Sequence, residues 1–251
     1  MTTKCIVTLL MAVAICSCSN VSYVCSNQKT VDSDSDSPIV NREITVKDVS
    51  EIDCARGIKV VYTQGATSSV VMSAPRDIAD YIDVDVKNSS LFCTVGKEYQ
   101  INTGLDRVEV KVSSPLVKSL GASTGASIKI DLLDLKDNKL NVYASTAGSV
   151  AINSLKCGGL DCDVSTAGNA TIIGIKCFGM IDASASTGAE TNFEGTAAKI
   201  DFGASTGATI NASELVAETG EASASTGADI SCRVNNLNSS SSTGGSVHNK
   251  Q

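Results

Sequence analysis

Between residues 116 and 249, apolar and polar positions alternate in short runs, and each run ends at Ser-Thr-Gly or a close variant. The first Ser of these signatures recurs at intervals of 22, 20, 21, 19, 20 and 17 residues. A fixed short period is typical of a repeat protein whose unit is one coil. The seven signatures begin at Ser123, Ser145, Ser165, Ser186, Ser205, Ser225 and Ser242.

Aligning the coils on the signature Ser separates two kinds of column. Apolar residues stand one, three and five places before the Ser and five and seven places after it, with polar residues between them. Alternation with a period of two indicates strands with one buried face. The pattern therefore predicts an all-β fold, a parallel β-helix (solenoid) with coils of about 20 residues. Phe202 stands between Ala183 and Ala222 in its column, so we expect its ring to fill the space that they leave.

The signature itself is expected to form the corner of each coil. Glycine tolerates the positive φ that a sharp corner needs, and Ser and Thr can hydrogen-bond the turn backbone. Two coils, at Ser145 and Ser165, read Ser-Thr-Ala-Gly. An extra Ala before the Gly predicts a one-residue bulge at those two corners.

Residues 42–115 lack the signature but contain short strand-like runs punctuated by glycine. Within them, residues 75–82 are compatible with one short helical turn. No linker separates this region from the repeats. We therefore expect a single domain over residues 42–251, with irregular opening coils at 42–115 that cover the apolar end of the stack and repeat coils at 116–249.

The N-terminus is typical of an export signal. Lys4 is followed by a short apolar run, and Ile15-Cys16-Ser17-Cys18 resembles a bacterial lipobox. We expect a lipoprotein signal peptide at residues 1–17 and lipidation of Cys18, which would anchor the protein to a membrane; an ordinary cleaved signal peptide is the alternative. Residues 18–41, where Asp and Ser alternate, are expected to form a disordered polar tether.

Several short motifs resemble a known family. They are Ile52-Asp53-Cys54-Ala55-Arg56-Gly57-Ile58-Lys59-Val60, Tyr62-Thr63-Gln64-Gly65, and Val108-Glu109-Val110-Lys111-Val112 leading through Pro115-Leu116 to Ala122-Ser123-Thr124-Gly125. Over about residues 43 to 248 the chain resembles the putative auto-transporter adhesin family with a head GIN domain, common in lipoproteins of Bacteroides-like bacteria. The resemblance implies a right-handed β-solenoid on the cell envelope, and it supplies no catalytic residues.

Composition and charge narrow the choice of partner. The net charge of −7 argues against nucleic acid, whose phosphates need clustered Lys and Arg. The chain has no Trp and only 4% aromatic residues, which suits a narrow solenoid core. Its single histidine, His248, lies three residues from the end, and no Ser-His-Asp or Cys-His set is apparent around it. We therefore do not expect an enzyme.

One polar column carries mostly acids. Four places before the signature Ser stand Asn141, Asp161, Asp182, Asp201, Glu221 and Asn238. Stacked carboxylates about 5 Å apart repel each other, and Ca²⁺ could relieve that repulsion at Asp161, Asp182, Asp201 and Glu221. The alternative is an exposed acidic face that keeps the protein soluble, with no cofactor and no metal.

The cysteines do not form a complete disulfide framework. Of ten, seven remain once the signal peptide is removed and Cys18 is acylated: Cys25, Cys54, Cys93, Cys157, Cys162, Cys177 and Cys232. Cys157 and Cys177 each follow an aliphatic residue and a Lys, so they are expected to stack one coil apart, where a disulfide is one outcome and free packed thiols the other. Cys162 and Cys232 fall in inward columns as small hydrophobes.

These observations favour a non-enzymatic cell-envelope lipoprotein whose solenoid binds a glycan or a protein. The first alternative is a structural or carbohydrate-sensing envelope module without a tight ligand, and the second is a polysaccharide-active enzyme. We expect the protein to be lipid-anchored at the outer membrane or the cell surface, with the periplasmic face as the alternative.

Overall fold

The computed structural model describes residues 28–250, and its regular structure is almost entirely β. Nine strands precede the repeats: β1 Lys29–Asp32, β2 Ile39–Ile44, β3 Glu51–Cys54, β4 Lys59–Gln64, β5 Ser69–Pro75, β6 Ile82–Lys87, β7 Ser90–Val95, β8 Tyr99–Thr103 and β9 Glu109–Ser114. Two short 3₁₀ helices, Ala79–Tyr81 and Leu105–Arg107, interrupt them, and the first lies in the predicted helical turn at 75–82.

The repeat region contributes twelve more strands, and the later ones run through most of a coil. They are β10 Ser119–Ser123, β11 Ser127–Ile130, β12 Leu133–Asp134, β13 Lys139–Ser145, β14 Ser149–Ile152, β15 Leu155–Cys157, β16 Gly159–Val164, β17 Asn169–Ala185, β18 Glu190–Ala204, β19 Thr209–Ala224, β20 Asp229–Ser241 and β21 Ser246–Asn249.

Each coil has three sides. Face A is the strand before the corner, face B the strand after it, and face C the shorter third side. Face A runs in the order β7, β3, β10, β13, β16 and then the final segments of β17 to β20, all in parallel. The predicted parallel β-solenoid is therefore confirmed.

The core is a narrow column of side chains from the inward positions. Leu140, Leu160, Ile181 and Ile200 stack in register on face A and are fully buried. Burying an aliphatic side chain of this size stabilises a fold by about 1.5–3 kcal/mol. Phe202 lies in register between Ala183 and Ala222, as its column predicts.

The corners place two consecutive residues in the left-handed region. At the Ser-Thr-Gly corners both Thr and Gly have positive φ, for example 51° at Thr124 and 74° at Gly125. A β-branched residue is rare there. The amide after the Thr donates to the Thr carbonyl of the next coil, as in Gly125 to Thr146 at 3.0 Å. A ladder of hydrogen bonds therefore runs along the corners and helps to hold this backbone.

The predicted bulge at the Ser145 and Ser165 corners is wrong. In these coils Ala147 and Ala167 take the second positive-φ position, with φ of 60° and 57°, and the Gly simply follows. Pairing on both sides of the corner stays in register, with Ser127 opposite Ser149 and Ser149 opposite Asn169. Ala and Gly have exchanged places in a turn of constant length, so no residue is added.

The opening region caps the stack, but in a different spatial order from the sequence. The coil formed by β7 and β9 comes later in the chain than β3 and β4, yet it lies outside them. Beyond it, β6 pairs antiparallel with β7, and β5 and β2 continue antiparallel from β9. Antiparallel strands therefore cover the end of the parallel array. The Ala55–Ile58 segment forms the corner of the β3–β4 coil, with Arg56 and Gly57 at positive φ.

The predicted disordered tether at residues 18–41 does not hold for the part that the structure describes. Residues 29–32 form β1, which pairs with β8, and β2 begins at Ile39. Ser33 and Asp34 lie between these strands. The Ser33 hydroxyl donates a hydrogen bond to Asp77 at 2.8 Å, and the Asp34 amide donates one to the same carboxylate at 2.9 Å. Arg107 donates to the Ser33 hydroxyl. Polar partners on the domain bind a segment whose composition alone favours disorder, so the folded unit includes residues before 42.

The predicted signal peptide at residues 1–17, the start of the tether and Cys18 lie outside the described residues. Within residues 28–250, no helix has the length and apolar character needed to cross a membrane. The lipid anchor therefore stays a prediction.

Candidate functional site

The outward side chains of face A form a groove bordered by aromatic rings. The column two places before the signature Ser reads, in stack order, Phe92, Asp53, Gly121, Tyr143, Asp163 and Ser184. Strand alternation sends these residues to solvent while their neighbours pack in the core. Phe92 and Tyr143 remain 44% and 46% exposed, which is high for large rings on a face with many polar residues.

Between the two rings lies a cavity of about 440 Å³, which we call the aromatic groove. Its residues come from β7, β3, β10 and β13 and from the corners that follow them: Asp53, Cys54, Ala55, Phe92, Cys93, Thr94, Gly121, Ala122, Ser123, Tyr143 and Ser145. At its centre the Asp53 carboxylate occupies the place that a side chain on Gly121 would take, because a Cβ there would lie 2.1 Å from Asp53 Oδ1. A second hollow of about 340 Å³ continues beyond Tyr143 along Asp163 and Ser184.

Asp53 is the carboxylate of the aromatic groove. Partial burial raises its pKa, and the nearby charge of Glu51 raises it further. Glu51 itself accepts a hydrogen bond from the Ser90 hydroxyl. Within residues 28–250, Asp53 receives neither a side-chain hydrogen bond nor an ion pair from another residue. Its oxygens are therefore free to accept hydrogen bonds from a ligand.

The acidic column lies on the same face, further along the stack. Asp161, Asp182, Asp201 and Glu221 are in register on successive coils. Two of them have cationic partners: Lys139 contacts Asp161, and Lys199 Nζ lies 3.7 Å from Glu221. Desolvation raises the pKa of Asp182, and the charges of Asp201, Asp161 and Asp163 add to this.

The register of the column agrees with its predicted stacking. However, no group of three or more metal-ligating side chains converges among residues 28–250. Calcium binding therefore stays a prediction without a built site to support it.

Comparison with known proteins places the chain in a family. The family described as "Putative auto-transporter adhesin, head GIN domain" matches residues 48–251. The chain belongs to this family. No curated protein sequence matches it significantly.

Solved structures share the fold of this chain at low sequence identity. A putative lipid binding protein from Parabacteroides distasonis is 17% identical, with a TM-score of 0.75, and the alignment covers 89% of this chain and all of that one. A putative adhesin from Parabacteroides merdae is 16% identical, with a TM-score of 0.66 and coverage of 88% and 99%. A putative adhesin from Bacteroides fragilis is 18% identical, with a TM-score of 0.58 and coverage of 88% and 100%.

Cys162 and Cys232 of this head GIN domain are buried, as their inward columns predict. Cys157 and Cys177 are directly opposite each other on face C, so their predicted stacking is confirmed. Both are free thiols in the structure. The neighbouring Cys157 thiol lowers the pKa of Cys177. The disulfide stays a prediction.

The single histidine does not assemble a catalytic triad. Asp229 accepts a hydrogen bond from the Ser246 hydroxyl at 2.7 Å, and its other close neighbour is His248 Nε2 at 3.4 Å. A triad needs the imidazole between the carboxylate and the hydroxyl. Here the carboxylate lies between the other two, so His248 cannot accept the proton of Ser246.

The aromatic groove is the feature that the repeat pattern missed. Tyr143 and Gly121 stand in an alignable outward column, which a search for exposed aromatics would have found. Phe92 and Asp53 belong to strands without the signature, and their place depends on β7 packing outside β3. That reversal of order leaves no trace in the spacing of the sequence.

Proposed function

We propose that this protein is a non-catalytic, adhesin-like protein of the cell envelope that binds an extended partner along face A. The observation that carries the proposal is the aromatic groove with its continuation past Tyr143. Exposed rings grouped around a cavity are typical of binding surfaces, where aromatic residues contribute much of the affinity. Membership of the adhesin family supports the same reading.

Binding is better supported than catalysis. The groove contains one carboxylate, Asp53, and hydrolysis of a glycoside needs two positioned acids. Glu51, the nearest other acid on the strand, is engaged by Ser90. His248 lies on β21, far along the stack from β3. The groove thus has contacts for recognition but no acid–base pair.

Lipid binding, the activity given to the Parabacteroides distasonis protein, has less support in this chain. The core within residues 28–250 is filled by packed side chains, as the fully buried Leu140, Leu160 and Ile181 illustrate. An acidic face A also repels anionic headgroups. Vesicles of neutral and anionic lipids serve as the direct comparison in the binding assay below.

Cys18 is proposed to hold the protein at the membrane. Its lipobox-like context supports acylation, and one diacylglyceryl group with an amide-linked chain anchors stably. Metabolic labelling with a fatty acid should mark the native protein and not Cys18→Ser. Label retained in Cys18→Ser would contradict the anchor, without bearing on face A.

The binding function is tested with full-length protein on intact cells and isolated envelopes. We expect saturable binding that falls at least tenfold in Phe92→Ala/Tyr143→Ala. The matched control is Leu132→Ala/Phe178→Ala, which removes two exposed apolar side chains outside the groove and should leave binding unchanged. Equal loss in both variants, binding to lipid vesicles that is lost in Phe92→Ala/Tyr143→Ala, or no saturable binding would contradict the proposal.

A further inference from the structure

We infer that the aromatic groove is a binding site for a neutral glycan chain lying along the stack, with Phe92 and Tyr143 as stacking platforms and Asp53 as the hydrogen-bond acceptor between them. This inference rests on the proposed function and names its ligand class.

The spacing of the two rings suits an extended chain. Phe92 and Tyr143 are separated by three ladder steps, through Asp53 and Gly121. Adjacent strands lie about 4.8 Å apart, so the rings are about 14 Å apart along the stack. That span accommodates several sugar units. A pyranose presents a flat face of C–H groups to an aromatic ring, and both rings here are about half exposed.

The floor between the rings is open and mainly apolar, with a few polar side chains set into it. The side chains of Thr94, Ser123 and Ser145 line it together with Asp53. Hydroxyl groups both donate and accept, and the carboxylate accepts, so together they match the hydroxyls of a sugar. Because Gly121 has no Cβ, the Asp53 carboxylate can lie over it at the centre of the groove. Apolar rings beside such a floor are a combination suited to sugars, which have apolar faces and polar edges.

The charge of face A selects a neutral ligand. Its outward columns carry seven acids, listed in stack order as Glu51, Asp53, Asp161, Asp163, Asp182, Asp201 and Glu221. Lys139 and Lys199 are the cations that pair with them. A uronic acid polymer, a nucleic acid or an anionic lipid surface would meet net repulsion here.

A peptide fits the same groove less well. Peptides commonly bind extended surfaces by adding a strand to a free sheet edge. In the groove β3 is paired on both sides, with β7 and β10, and β10 is paired with β3 and β13. A peptide lying along the stack would cross these strands and find no backbone partners. A glycan needs none, since its contacts are ring faces and hydroxyls.

The test is a glycan array followed by calorimetric titration of full-length protein with the neutral oligosaccharide that gives the strongest signal. We expect binding to neutral glycans and none to their uronic acid counterparts. Phe92→Ala and Tyr143→Ala should each weaken affinity about 2- to 10-fold, the range measured for one aromatic contact. Phe178→Ala, which removes an exposed ring elsewhere, is the matched control and should have no effect.

Gly121→Thr provides a variant that fills the floor without removing a ring. Gly121 lies within β10 and lacks a positive φ, so Thr suits its backbone. The new side chain displaces the end of Asp53, and we expect loss of glycan binding with an unchanged melting temperature.

The outcomes separate the inference from the proposed function. If cell binding through Phe92 and Tyr143 survives periodate treatment of the cells and is lost after protease treatment, the partner is a protein; the inference is then overturned and the proposed function stands. If no neutral glycan binds, or if Phe178→Ala weakens glycan binding as much as Tyr143→Ala, the inference is also overturned. If the unmodified protein does not bind cells at all, both the inference and the proposed function are overturned.

Discussion

Replacing Phe202 by Ala should destabilise the solenoid strongly. The ring is 1% exposed, and it stacks on Phe193 with centroids 5.8 Å apart and planes at 26°. Its neighbours in the column, Ala183 and Ala222, are too small to fill the space that it would leave. Phe→Ala substitutions in cores cost about 3–5 kcal/mol, including about 0.5–1.5 kcal/mol for a lost aromatic pair. Hydrogen-bond ladders to the coils on both sides hold the strand in place, so the backbone cannot collapse into the cavity. We therefore expect a cost near the top of that range.

The assay is equilibrium unfolding in urea, with circular dichroism and tyrosine fluorescence compared to check for a single transition. A second variant distinguishes lost volume from a general disturbance. Ala222→Phe alone should overpack and cost about 1–3 kcal/mol. In the Phe202→Ala background the same ring lies beside the new cavity, so the double variant should be more stable than the sum of the single effects predicts. A cost below about 1 kcal/mol for Phe202→Ala, or strict additivity, would refute the reasoning.

Three further predictions concern single groups. Thr191 Oγ1 is buried without a hydrogen-bond partner among residues 28–250, so Thr191→Val should raise the free energy of unfolding by about 1–3 kcal/mol in urea melts, and Thr209→Val, at an exposed position, should not. Because the pKa of Asp182 is raised in the native state, native stability should increase as pH falls from that raised value towards the ordinary value. Asp182→Asn should therefore stabilise the fold slightly near neutral pH and low salt, and the gain should vanish at low pH; a gain unaffected by pH or salt would contradict this. Cys157 and Cys177 are free thiols in the structure, so peptide mapping after alkylation in denaturant should find both modified; a linked pair of peptides from protein isolated from an oxidising compartment would show the disulfide instead.

The regular part of the fold follows from local periodicity. Alternation around each signature Ser marks which side chains are inward, and this suffices to place Leu140, Leu160 and Ile181 in one buried column. A solenoid coil contacts mainly its neighbours along the chain, so local pattern and tertiary packing carry the same information.

The opening region was less predictable because its contacts are not local. Nothing in the spacing of β7 and β3 indicates that the later strand lies outside the earlier one. The segment around Ser33 and Asp34 reads as disordered by composition, yet Asp77 and Arg107 bind it across more than 40 residues of chain. Its order comes from partners that are distant in sequence.

The corner shows a different limit of prediction from sequence. Glycine at a positive-φ position was predictable, but Thr at the position before it has φ of 48–53° in seven coils. Propensity disfavours a β-branched residue there, so the inter-coil ladder of corner hydrogen bonds overrides it. None of the described side-chain contacts explains why Thr is used rather than Asn.

The most direct test of the aromatic groove is nuclear magnetic resonance of full-length protein carrying labelled Phe and Tyr, titrated with a neutral oligosaccharide. Our account predicts that the ring signals of Phe92 and Tyr143 shift together and receive magnetisation from sugar C–H protons, while those of Phe178 and Tyr81 stay unchanged. Shifts confined to rings outside the groove, or none at saturating oligosaccharide, would contradict it.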